Sequence, residues 1–124
     1  MSQLLAIAGG GAVGAVFRYW VSTGVYTLVG RGFPYGTLAV NVIGSLIMGL
    51  LFVLLIDRFD AGPQWRAFFM IGLLGAFTTF STFSIETVNL IENGDLLKAS
   101  LNAVLSVVLC VAAAIVGVVI GRQL

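Results

Sequence analysis

Polar chemistry in this chain is concentrated in one short stretch, Thr78-Thr79-Phe80-Ser81-Thr82-Phe83-Ser84, with five hydroxyls in seven positions and two phenylalanines at i and i+3. Residues three apart on a helix are neighbours, so Phe80 and Phe83 share a face. A hydroxyl both donates and accepts, while a phenyl ring is negative on its face and positive at its edge. Ring edges set among hydroxyl donors suit a small anion stripped of water; ring faces would instead favour a cation. One or two hydroxyls in an apolar helix can bond back to their own backbone. Five cannot share one face, so the segment must meet protein or water on most sides. Non-helical backbone is tolerated at such a place because it is buried in protein or lines a cavity.

Other polar residues interrupt apolar surroundings. Asn41 follows Thr37 by one helical turn, and its amide either donates to an anion or ties two helices together. Arg18 lies well inside an apolar run, where a charge must snorkel or face a vestibule, and such charges mark ion or substrate paths. Asn102 and Ser106 stand at i and i+4, and Cys110 continues that row. Glu86 ends the hydroxyl-rich stretch as a pathway acceptor, a proton site or an interfacial carboxylate.

Composition excludes most alternatives. With no histidine, His-based catalysis and His-ligated metals are ruled out. The lone Cys110 has no partner for a disulfide or a CxxC site. A net charge of +1 gives no basic footprint for nucleic acid. No Lys or paired carboxylate is placed to activate a hydroxyl, so an enzyme is not expected. Of 124 residues, 60% are hydrophobic and only 9% charged, and the mean hydropathy is +1.12. A soluble domain carries about 25% charged residues, and so small a chain would need them to cover its surface. This chain belongs in a bilayer.

Four apolar stretches, at about residues 4–29, 36–56, 65–91 and 98–121, approach the roughly 20 residues that cross about 30 Å of hydrocarbon. They define a single four-helix, multi-pass transmembrane domain over residues 1–124. The connections are Gly30-Arg31-Gly32-Phe33-Pro34, the segment from Asp57 to Pro63, and Glu92-Asn93-Gly94-Asp95, all rich in turn formers. Nothing basic precedes the first apolar run, and its length exceeds a signal-peptide core of about 7–15 residues. Loop charges barely favour an orientation: Arg58, Arg66 and Arg122 fall on the side of the termini, with Arg31 and Lys98 on the other, joined by Arg18 if it snorkels that way. Positive-inside asymmetry normally fixes orientation. Its near absence fits either a weak bias or insertion both ways round. Gly10 and Gly14, Ser45 and Gly49, and Ala113, Gly117 and Gly121 repeat at the small-xxx-small spacing that lets membrane helices pack closely.

The run Gly75-Ala76-Phe77-Thr78-Thr79-Phe80-Ser81-Thr82-Phe83-Ser84 closely resembles the G-x-x-TTFSTFS signature of the Fluc (CrcB-type) fluoride channels. Gly9-Gly10-Gly11-Ala12-Val13-Gly14 with Arg18, and Gly36-Thr37-Leu38-Ala39-Val40-Asn41 with Gly44, match the same family in order across the chain. The resemblance implies an all-α membrane protein of four transmembrane helices, the third broken near its middle. It implies an antiparallel, dual-topology homodimer with two pores built from both subunits, exporting fluoride passively and conferring fluoride resistance. Phe80 and Phe83 would turn ring edges to the dehydrated ion, and Asn41 would supply an amide donor. Ser81, Thr82 and Thr37, with Ser106, would form a polar track ending at Glu86, and Arg18 would lie by the anion-collecting vestibule. A structural sodium ion would sit on the dimer axis, held by backbone carbonyls of Gly75 and Thr78. Two positions depart from the family pattern: Ala76 stands where a second glycine is common, and Cys110 where a pore-side serine is common.

Two other readings compete. A small multidrug-type exporter also has four helices, but needs a carboxylate in its first span, where this chain has Arg18 and no acid. An accessory subunit of a larger membrane complex would explain the glycines and leave the hydroxyl–Phe cluster without a role.

Overall fold

The computed structural model describes residues 2–124, and among them every regular element is helical. Four helices are long and apolar enough to cross a membrane: Ser2–Val29, Tyr35–Arg58, Pro63–Glu92 and Leu96–Gln123. Each lies within two residues of the span expected from hydropathy. We label them α1 (Ser2–Val29), α2 (Tyr35–Arg58), α3 and α4 (residues 63–77 and Phe80–Glu92, the two parts of the third span) and α5 (Leu96–Gln123).

Helix ends follow the turn chemistry. Gly30 and Gly94 take positive φ (82° and 80°), the left-handed geometry that closes a helix cheaply only when no Cβ is present. At the second of these ends, Asp95 N–H reaches back to Leu90 O (2.9 Å), and Asp95 O then opens α5 by accepting from Ala99 N–H. Hydropathy gave no hint of two stretches of wider, π-type winding, Phe52–Arg58 in α2 and Ala67–Leu73 in α3. They flank the same loop, and i→i−5 bonds from Phe59 to Leu54 and from Leu74 to Phe69 mark them.

Packing uses the small residues. Gly10 and Gly14 of α1 lie against the backbone of Phe68 and Leu73, and Gly72 returns the contact against Ile7. Gly49 meets Ala114 O, Gly117 meets Leu46 O, and Gly121 abuts Val53, so α2 and α5 interlock. Ser45, at the expected spacing before Gly49, is half-buried and faces a groove rather than a helix contact. Buried apolar side chains are few (Val40, Val53, Ala67, Leu74, Phe77 and Ala99 among the described residues), while Leu, Val, Ile and Phe side chains cover the outside. That is the arrangement of a bundle solvated by lipid, where close backbone approach replaces a large core.

The break in the third span falls at Thr78 (φ −84°, ψ 157°) and Thr79 (φ −153°, ψ 111°), midway between Pro63 and Glu92. It redirects the chain: α3 packs mainly on α1, and α4 packs mainly on α5.

Candidate ion pathway

The break is built by side chains that take over the backbone's bonds. Asn41 of α2 accepts from Thr79 N–H at 2.8 Å (Oδ1) and donates to Thr79 O at 3.1 Å (Nδ2), clasping that peptide at both ends. Thr79 Oγ1 accepts from Thr82 N–H at 3.2 Å, capping α4, and donates to Thr82 Oγ1 at 3.0 Å. In an unbroken helix Thr79 N–H would bond to Gly75 O, and Thr82 N–H to Thr78 O. Both donors are diverted, so the carbonyls of Gly75 and Thr78 lose their helical partners. Thr78 stabilises the last turn of α3 through bonds from both its N–H and its Oγ1 to Leu74 O, each 3.0 Å. Gly44 permits the crossing, since a Cβ there would strike Thr78 and Phe77.

A groove of about 420 Å³ runs between α2, the break and α5. Asn41, Thr78, Thr79, Phe80, Phe83, Ser106 and Cys110 line it, with Gly44, Ser45, Met48, Val107, Val111 and Ala114. Phe80 and Phe83 form a tilted pair, ring centroids 5.1 Å apart at 40°, and Phe80 is 77% exposed. Ser106 Oγ is buried with no hydrogen-bond partner among the described residues. The interhelical role foreseen for Asn41 is realised, and it leaves one amide N–H available beside the rings.

The remaining expected residues do not line this groove. Thr37 is buried on α2 one turn before Asn41. Thr82 is held by Thr79, and Ser81 Oγ lies 3.3 Å from Thr79 Oγ1. Glu86 stands two turns along α4, in a separate cleft of about 180 Å³ with Tyr26, Arg31, Asn89 and Asn93. Arg18 is half-buried and continues the Gly10–Gly14 row of α1 toward the level of the break. Gly75 is exposed, with only Met70 O within 4 Å of a Cβ built there.

Three participants were missing from the expected set. Thr79 is the hub of the break; its place three residues before Thr82, the spacing of a helix N-cap, was the available signal. Asn102, 2% exposed, donates to Thr87 Oγ1 (2.9 Å), which itself donates to Phe83 O (2.8 Å), tying α5 to the ring-bearing turn of α4. Tyr26, whose hydroxyl donates to Glu86 Oε2 at 3.0 Å, carried no sequence signal beyond an aromatic near a helix end.

The chain is 58% identical over 98% of its length to a fluoride-specific ion channel of Methylococcus capsulatus, covering 54% of that protein, so it spans about half the length of this relative. It is 54% identical to the fluoride-specific ion channel of Coxiella burnetii and 49% to that of Geobacter sulfurreducens, covering both chains completely in each case. These names describe ion channels and not enzymes. Residues 5–118 match the family model described as CrcB-like protein, camphor resistance. With four spanning helices, relatives at these identities and a family match over nearly all its length, this multi-pass membrane protein belongs to the CrcB family.

Proposed function

We propose that this chain is the subunit of a fluoride-selective channel that lets fluoride leave the cell passively across the inner membrane and so confers fluoride resistance. The observation that carries this reading is the groove at the break, where the Phe80–Phe83 pair meets the Asn41 amide, Thr79 and the unpartnered Ser106 hydroxyl. The names of the relatives support fluoride as the ion.

Fluoride is small and strongly hydrated, so a selective pore must return a large dehydration cost through short donor contacts. The free N–H of Asn41, the hydroxyls and the positive ring edges supply such donors without an opposing carboxylate in the groove. A narrow site lined this way disfavours larger halides, which lose hydration more easily but do not fit. Ser81, Thr82, Thr37 and Ser106 extend the donor set into a track that ends at Glu86, and Arg18 raises the local anion concentration at a vestibule.

The working unit is an antiparallel, dual-topology homodimer with two pores, each lined by both subunits. Phe80 is largely exposed and the groove is open on one side, which in a lone chain would leave hydroxyls facing lipid. The near-equal loop charges suit two opposite insertions. A structural sodium ion fits the break: the Gly75 and Thr78 carbonyls have lost their helical donors, and Gly75 lies at an open surface where a second copy can approach. Among the described residues no three His, Cys, Asp or Glu side chains converge, so such a cation would rest on these hard carbonyl oxygens. It would pin the two breaks together and hold their geometry.

The test is efflux from proteoliposomes followed with a fluoride electrode. Rapid fluoride release with negligible chloride release is expected; no release above protein-free vesicles would overturn the reading. Tags at the termini should label from both membrane faces, and strictly one-sided labelling would refute dual topology.

A further inference from the structure

At the mouth formed by the first and third connections, the Tyr26 hydroxyl donates to Glu86 Oε2 (3.0 Å) across 60 residues of sequence. Glu86 Oε1 is buried and has no hydrogen-bond partner among the described residues. The Tyr26 ring is fixed on its own account. It packs against Gly36, where an added Cβ would stand 2.7 Å from ring atom Cδ2, and the Arg31 guanidinium carbon lies 4.4 Å from its centroid. Arg31 belongs to a loop that Lys98 holds through Gly32 O (2.9 Å). Tyr26 therefore joins α1, the start of α2 beside Thr37, and the middle of α4. Its hydroxyl is the hydrogen-bond donor that reaches the carboxylate.

We infer that Tyr26 is a positioning residue for ion passage. It ties one oxygen of Glu86 so that the carboxylate stays in one rotamer at the end of the polar track, clear of the anion's exit. A free glutamate has three rotatable bonds and would sample positions across this cleft, where its charge repels the departing anion. The inference rests on the fluoride-channel reading above and concerns how the mouth is kept open.

Tyr26→Phe keeps the ring, its packing on Gly36 and the Arg31 contact, and removes only the hydroxyl. Fluoride efflux from proteoliposomes is expected to slow about tenfold, the scale of losing a hydrogen bond to a charged acceptor. In a Glu86→Ala background Tyr26→Phe should change nothing further, because a residue that acts through Glu86 has nothing left to position. The carboxylate infrared band that vanishes in Glu86→Ala should shift in Tyr26→Phe. Wild-type efflux in Tyr26→Phe, an equal slowing with and without Glu86, or an unmoved carboxylate band would each overturn the inference. Absence of fluoride efflux from the wild-type protein would overturn the channel reading instead.

Discussion

Asn41→Ala tests whether the break is held by the bonds that define it. The native amide makes two bonds to the Thr79 peptide, at 2.8 and 3.1 Å. Without them Thr79 N–H regains its ordinary helical acceptor, Gly75 O, and the last turn of α3 can extend through the break. Two hydrogen bonds at about 1 kcal/mol each amount to about 2 kcal/mol, or roughly a thirtyfold shift in the ratio of broken to continuous helix toward the continuous form. Fluoride efflux should fall by up to that factor from this shift, and further because the variant removes the amide donor from the groove. Healing the helix reoccupies the Gly75 carbonyl, so any dependence of efflux on sodium should weaken in parallel. Asn41→Asp separates the two roles of the amide. One oxygen can still accept from Thr79 N–H, but the other then confronts Thr79 O where the amide donated. A carboxylate about 6 Å from a passing anion adds about 3 kcal/mol of repulsion at an effective dielectric of about 20. At neutral pH Asn41→Asp should therefore conduct less than Asn41→Ala. Efflux of Asn41→Ala within threefold of wild type, with sodium dependence intact, would refute the clasp as the support of the break.

Other substitutions probe the rings and the helix contacts. Phe80→Ile and Phe83→Ile keep apolar volume but remove the ring edges, and each should cut fluoride efflux by more than tenfold; near-wild-type flux in both would sink the ring-edge role. Gly117→Ala places a methyl on Leu46 O at the α2–α5 contact, and should destabilise the protein by about 1–3 kcal/mol, read as a lower midpoint of heat-induced aggregation in detergent. Gly24→Ala, whose Cβ meets nothing within 4 Å, should leave that midpoint unchanged or raise it. Equal midpoints for the two variants would show that the glycine contact does not hold the helices.

The spans were legible in the sequence because membrane insertion depends on apolar length, which is a local property of each stretch. The break was legible from hydroxyl density: no helix facing lipid accommodates Thr78, Thr79, Ser81, Thr82 and Ser84 together. What holds the break was not. Asn41 and Thr79 are 38 residues apart, and an asparagine in a span reads alike whether it meets an ion, another helix or a peptide group. The π-type turns were invisible for a related reason, since one extra residue per turn barely disturbs an almost uniformly apolar pattern such as Phe52–Arg58. Tyr26 escaped notice because aromatic residues near span ends are expected at any membrane interface.

The same residues bear on how two copies of this chain would line the proposed polar path. One chain supplies a rigid half: a clasped break, a ring pair fixed from below by the Asn102–Thr87–Phe83 relay, and a groove left open along α5. It cannot also supply the other wall. Among the described residues all four spans pack on one another, α1 on α3, α2 on α5 and α4 on α5, and no long connection folds over the groove. A partly lined groove with an unpartnered Ser106 hydroxyl is costly in hydrocarbon. The cost falls only when something of matching polarity and length covers it, and a second copy brings the same donors at the same depth. In the proposed antiparallel pairing the two walls would be equivalent, so one break, one ring pair and one amide per chain would line two paths per dimer. The exposure of Phe80 in the single chain is thus what the proposed dimer requires, because a ring fully packed within its own subunit would have no edge left for the ion.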